Sequence, residues 1–187
     1  MVLKYKINLT TMPAPAFVHL RLHSEYSIVD GIVRIEDAVA RAVADRMPAL
    51  ALTDLGNLFG MVKFYQAARG KGVKPIIGCD LWLSNESDRD KPFRVLLLAQ
   101  NHAGYLLLCR LISRAYLSNQ HRGRAEIRQS WFDEEGAEGL IALSGAHLGD
   151  VGHALLNERQ PEAEKLAREW AARFPGRFYL ELQRCGH

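Results

Sequence analysis

The chain has 187 residues, 48% hydrophobic and 24% charged, enough for one domain with a sizeable core and unlike a disordered or fibrous chain. Its net charge of +3 falls short of a nucleic-acid-binding footprint by itself. No apolar run reaches the roughly 20 residues of a membrane span, and the three cysteines at 79, 109 and 185 form no spaced framework, which fits a reducing cytoplasm.

Residues 1–16 read as a tail without the apolar centre of a secretory leader, and Met12-Pro-Ala-Pro15 offers a second start. From Phe17 a strand is predicted over 17–23. Val18, Leu20 and Leu22 form one face, and the other carries His19, Arg21 and His23. Ser24, Ser27, Asp30 and Gly31 follow as a polar loop. Ile35, Ala38, Val39, Ala42 and Val43 then fall at helical spacing. Residues 48–53 read as a short buried strand ending at Asp54. Asn57 is the candidate cap of a helix with the stripe Leu58, Met61, Val62, Tyr65 and Ala68, ended by Gly70 and Gly72.

Strands follow at 74–83, with Asp80 late in it, and at 93–99, joined by the polar loop 84–92. A helix over 102–117 presents Tyr105, Leu108, Ile112 and Tyr116 to the core. Residues 118–129 read as a basic loop, and 139–144 as a strand. Pro161 opens a helix with the stripe Ala163, Leu166, Ala167, Trp170, Ala171 and Phe174, stopped by Pro175-Gly176. A last strand covers 177–183, close enough to the final residue to suggest part of a longer protein. Strand then helix, repeated, predicts an α/β protein with a parallel sheet. The direct step from 74–83 to 93–99 predicts a distorted barrel rather than a regular eightfold one.

Polar residues recur where these strands end: His23, Asp54, Asp80, and Ser144 with His147 close behind. In a parallel sheet those ends share one rim. Imidazoles and carboxylates converging there are candidate ligands for divalent metals.

The runs His19-Leu-Arg-Leu-His-Ser-Glu-Tyr-Ser-Ile-Val-Asp-Gly31, Ala49-Leu-Ala-Leu-Thr-Asp-Leu-Gly-Asn-Leu-Phe-Gly60, Gly72-Val-Lys-Pro-Ile-Ile-Gly-Cys-Asp80, Gly139-Leu-Ile-Ala-Leu-Ser-Gly145 and Phe178-Tyr-Leu-Glu-Leu-Gln-Arg184 carry a resemblance. They are similar to the N-terminal polymerase and histidinol phosphatase (PHP) domain of bacterial replicative polymerases of the polymerase III α type. The resemblance runs from about Phe17 to the last residue. It implies a distorted seven-stranded (β/α)7 barrel, an incomplete N-terminal portion of which fills 17–187, with the polymerase domains downstream.

The departures from the family pattern fall on its metal ligands. The metal-binding version carries His-x-His at the end of the first strand, two imidazoles about 6.5 Å apart on one face. Here those positions are Arg21 and His23. Leu55 stands where a ligand histidine is usual, Asp80 where a glutamate is, Arg94 where a histidine is, and Ala146 where a cysteine is. A guanidinium has no lone pair to give, and leucine ligates nothing. Only His23, Asp54 and Asp80 keep ligand chemistry, so no bound metal is expected. Arg21 and Arg94 are the candidate charge substitutes for Asp54 and Asp80, which need compensation on a buried rim.

The resemblance implies a non-catalytic scaffold at the head of a DNA-directed DNA polymerase. The parent chain would extend a DNA primer with magnesium, and this domain would steady it and dock a separate proofreading exonuclease subunit. The alternative is a phosphoesterase or 3′–5′ exonuclease with a surviving zinc or manganese site. A standalone histidinol-phosphatase-like protein and an error-prone polymerase paralogue fit the motifs less well. Bland readings stand beside the sharp ones: His19 and His23 as structural histidines, His102 as solvent-facing, and His147 as unrelated to a site. Arg114, His121, Arg122, Arg124 and Arg128 read as a solvated basic surface rather than a phosphate-binding one.

Overall fold

The computed structural model describes residues 17–183. The tail over 1–16 and the last four residues, Cys185 among them, lie outside the described residues.

The element order is α1 (Ile35–Ala44), β1 (Ala49–Leu52), α2 (Met61–Gly70), β2 (Lys74–Leu83), β3 (Phe93–Ala99), α3 (His102–Ser118), β4 (Gln120–His121), β5 (Arg124–Ile127), α4 (Trp131–Glu135), β6 (Leu140–Leu143), a 3-10 turn at Ala146–Leu148, α5 (Asp150–Leu156), α6 (Gln160–Arg173) and β7 (Phe178–Tyr179). One sheet runs β4-β5-β2-β3-β6-β7, with β1 also paired to β2. Among the described residues it does not close on itself.

Alternation along the strands builds the layers. Cys79, Leu81 and Leu83 of β2 and Val95 and Leu97 of β3 pack against Leu107, Leu108, Leu111 and Ala115 of α3 and against Trp131, Trp170 and Phe174. Ile35, Val39 and Ala42 of α1 and Phe64 and Ala68 of α2 close over Leu50 and Leu52. Full burial of each large side chain here is worth roughly 1.5–3 kcal/mol. The opposite face of β2 and β3 carries Asp80 and Arg94 beside a small apolar group of Ala51, Leu96, Leu98 and Leu143.

The sheet is mixed, not parallel as the strand–helix alternation predicts. β1 pairs parallel with β2, but β3 is antiparallel to both β2 and β6, while β6 and β7 are parallel. The loop 84–92 is too short for a crossover, which needs about a dozen residues, so β3 must turn back. This reversal puts the start of β3 beside the end of β2, with Arg94 opposite Trp82. Arg94 therefore reaches the rim that the parallel strands point to.

Residues 17–23 do not form a regular strand. They lie along β1 through two main-chain bonds, from Ala51 N–H to the His19 carbonyl and from Thr53 N–H to the Leu22 carbonyl. Three residues on one side oppose two on the other, so the ladder bulges. The Thr53 hydroxyl takes the Leu22 N–H instead, at 2.9 Å.

The basic stretch 118–129 is not a loop throughout. It contains the β4–β5 hairpin, whose two central residues Arg122 and Gly123 have φ of 48° and 77°, the signs a type I′ turn requires. Arginine at the first of these hides the usual Asn-Gly signature. Two helices turn a different stripe inward. α2 buries Phe64, leaving Val62 and Tyr65 exposed, and α3 buries Gly104, Leu107, Leu108, Leu111 and Ala115, leaving Tyr116 exposed. Asn57 caps no helix: its side chain bonds the Tyr26 and Leu55 carbonyls and the Phe59 N–H. The last strand is confined to Phe178–Tyr179. The short α4 and α5 carry no periodic signal in the sequence, because five and seven residues give too few turns to register.

Candidate functional site

The candidate site gathers where β2, β3, the 17–23 segment and the chain after β7 meet. Asp80 is fully buried, and one of its carboxylate oxygens, Oδ2, accepts three cationic or ring donors. These are the Arg21 guanidinium, Arg94 Nη1 at 3.0 Å and His23 Nε2 at 3.1 Å. Arg21 also holds Glu181 in a two-pronged bond, Nε to Oε1 and Nη2 to Oε2, each 2.8 Å. That clamp joins the first described segment of the chain to the last. Burial works against the Arg21 cation, but Glu181 and Asp80 outweigh it and hold its pKa above the ordinary value. Arg94 is pulled below the ordinary arginine value by burial, with Asp80 and Asp30 only partly offsetting this.

His23 stands between two carboxylates, with Nδ1 on Asp30 at 2.9 Å and Nε2 on Asp80. Only the imidazolium donates from both nitrogens. Burial lowers the His23 pKa, but the hydrogen bond and charge of Asp80, followed by those of Asp30, lift it above the ordinary value.

Asp54 does not receive the arginine pairing expected for it. Its Oδ1 accepts the Ser24 N–H at 2.6 Å and its Oδ2 the Ser24 hydroxyl at 3.0 Å. The loop after His23 folds its own backbone onto the carboxylate, leaving the guanidinium groups to Asp80. Burial raises the Asp54 pKa, and the two Ser24 bonds pull it back part of the way.

The other replaced positions are structural in their contacts. Leu55 is bridged to Asp80 in a parallel register, and its N–H bonds Ser27 Oγ at 2.6 Å. Ala146 sits on the 3-10 turn with φ of 49°, beyond Ser144, whose hydroxyl accepts the Glu181 N–H. His147, His102 and His19 are exposed, with His19 edge-on to Phe17. The basic residues are matched by acids: Arg114 with Glu134 and Glu135, His121 and Arg122 with Asp90, Arg124 with Glu126, and Arg128 with Glu86.

The family's metals do not fit this donor set. Arg21 and Arg94 stand where the resemblance implies two ligands, and both oxygens of Asp54 and one of Asp80 already accept hydrogen bonds. Among the described residues no three His, Cys, Asp or Glu side chains gather to hold an ion. The free Asp80 Oδ1 is a single oxygen among cations. Glu181 and Trp82 also contribute to the site and are not among the candidates the sequence offers. Glu181 carries a signal, as a lone acid among the apolar residues of the stretch 178–182. Trp82 is legible only once the β2–β3 register is known.

A family model described as the PHP domain matches residues 19–185. The chain belongs to the PHP domain family. It is 52% identical over 174 residues to DNA polymerase III subunit alpha of Pseudomonas fluorescens, a match covering 92% of this chain and 15% of that protein. It is 42% identical over 175 residues to the same subunit of Escherichia coli strain K12, covering 94% of this chain and 15% of that protein. The chain thus spans about 15% of the length of these relatives. Among solved structures, an amidohydrolase from Chromobacterium violaceum with bound sulfate and no metal aligns at a TM-score of 0.42. It is 22% identical and covers 52% of this chain and 32% of that one.

Proposed function

We propose that this chain is the PHP domain of a replicative DNA polymerase α subunit in which arginines have taken over the charge of the family's metals. The domain then acts as a scaffold and not as a phosphoesterase. The observation that carries the reading is the Asp80 carboxylate, met by Arg21, Arg94 and His23 at a single oxygen. A cation bound there would have to displace two guanidinium groups already in place.

The likeness to α subunits supports the rest. Primer extension with magnesium belongs, on this reading, to polymerase domains in the part of the relatives that lies beyond the match. A separate proofreading exonuclease subunit is the partner this domain would dock, in the bacterial cytoplasm. Among the described residues no helix is long and apolar enough to cross a membrane.

The test is elemental analysis of the purified chain after dialysis against zinc and manganese, with phosphoesterase turnover followed in parallel. The reading expects no retained metal and no chelator-sensitive turnover. Near-stoichiometric metal, with turnover abolished by His23→Ala, would replace it with a metal-dependent phosphoesterase or exonuclease.

A further inference from the structure

Trp82 shares a face of β2 with Asp80, two residues along. It stands opposite Arg94 in the β2–β3 ladder and opposite Glu126 in the β2–β5 ladder. The Arg94 guanidinium carbon lies 3.8 Å from the centroid of the indole ring, and that of Arg124 lies 5.6 Å from it. The Arg94 side chain is 9% exposed. Its Nε has no hydrogen-bond partner, and its nearest carboxylate after Asp80 is Asp30 at 4.0 Å. A buried guanidinium so short of hydrogen bonds needs another source of stabilisation. The face of an indole against its plane supplies one, and does so most strongly where water is excluded.

We infer that Trp82 is the positioning residue that holds Arg94 flat in the rim, with Nη1 aimed at Asp80. Arg94 can stand in for a metal here because Trp82 lies opposite it. Arg21 needs no such platform, since Glu181 already fixes it from the other side. This inference deepens the charge-replacement reading and rests on it.

The test is a double-mutant cycle on the whole chain, with Trp82→Leu, Arg94→Met and the pair compared by urea unfolding. The coupling should be about 3- to 30-fold in the unfolding equilibrium constant, the span of a desolvated cation–π contact at tenfold per about 1.4 kcal/mol. Solvent exchange of the Arg94 Nε–H, followed by NMR and taken relative to core backbone amides of the same variant, separates loss of the local contact from general loosening. It should speed by about tenfold or more in Trp82→Leu and stay near the wild-type rate in Trp82→Phe, which keeps an aromatic face. Should Trp82→Leu fail to fold, Trp82→Phe with Arg94→Met closes the same cycle at reduced size. A coupling under about 1.5-fold with unchanged Nε–H exchange overturns the inference. If Arg94→Met itself costs no stability, the charge-replacement reading fails. If Arg94→Met is costly but uncoupled from Trp82, only the role of Trp82 falls.

Discussion

At the scale of single residues, Asp80 decides what the rim can be. A buried carboxylate without partners is costly, and here Arg21, Arg94 and His23 share the task of compensating it. Arg21→Ala removes one guanidinium from Asp80 and both bonds to Glu181. It should lower stability by about 2–4 kcal/mol in urea unfolding, a little below the roughly 3–5 kcal/mol for breaking a fully buried ion pair, because Arg21 is partly exposed. Arg41→Ala is the control: its pair with Asp45 lies on the surface, and no measurable change is expected. His23 gives a pH signature. Its folded pKa is raised above the unfolded value of about 6.5, so the folded state binds the proton more tightly. The stability it adds is fully present below pH about 6.5 and is lost as the pH rises through the folded pKa. The unfolding midpoints of wild type and His23→Ala should differ most at low pH and converge in alkali. A gap that widened with pH would contradict the imidazolium between Asp30 and Asp80.

At the scale of elements, α3 and the start of β6 approach so closely that the helix has no room for a side chain at Gly104. Asn101 accepts the Gly104 N–H at 3.0 Å, the usual N-cap bond, so Asn101→Ala should cost about 1 kcal/mol. A Cβ at Gly104 would fall on the Gly139 carbonyl oxygen. Helix propensity alone predicts that Gly104→Ala stabilises by roughly 1 kcal/mol. The packing predicts a loss of about 2 kcal/mol or more, and thermal unfolding separates the two by sign. The elements also mark how far the sequence was legible. Helices α1 and α6 are readable because their apolar residues recur at helical spacing, and the strands 74–83 and 93–99 because they are apolar runs bounded by Gly72 and the polar loop 84–92. The stripes of α2 and α3 differ from the expected ones because Val62, Tyr65 and Tyr116 are apolar by type yet sit at the surface. The antiparallel turn of β3 followed from loop length, a constraint that periodicity does not carry. For the site, His23, Asp54 and Asp80 are legible as polar residues at strand ends, whereas Arg21 and Arg94 stand out only through the family resemblance, as departures at its ligand positions. The Ser24 bonds to Asp54 are not legible, because they arise from the path of a loop.

At the scale of the whole molecule, the chain ties its own two ends of described structure together through Arg21 and Glu181, across a sheet that does not close among the described residues. The same guanidinium that would repel a metal therefore also braces the open sheet. The account stands or falls on whether the rim prefers its own cations to a metal. Calorimetric titration of the chelator-treated chain with manganese, beside Asp80→Asn, asks this directly. The account predicts no saturable binding that depends on Asp80. Binding that saturates at one or more ions per chain and disappears in Asp80→Asn would contradict it.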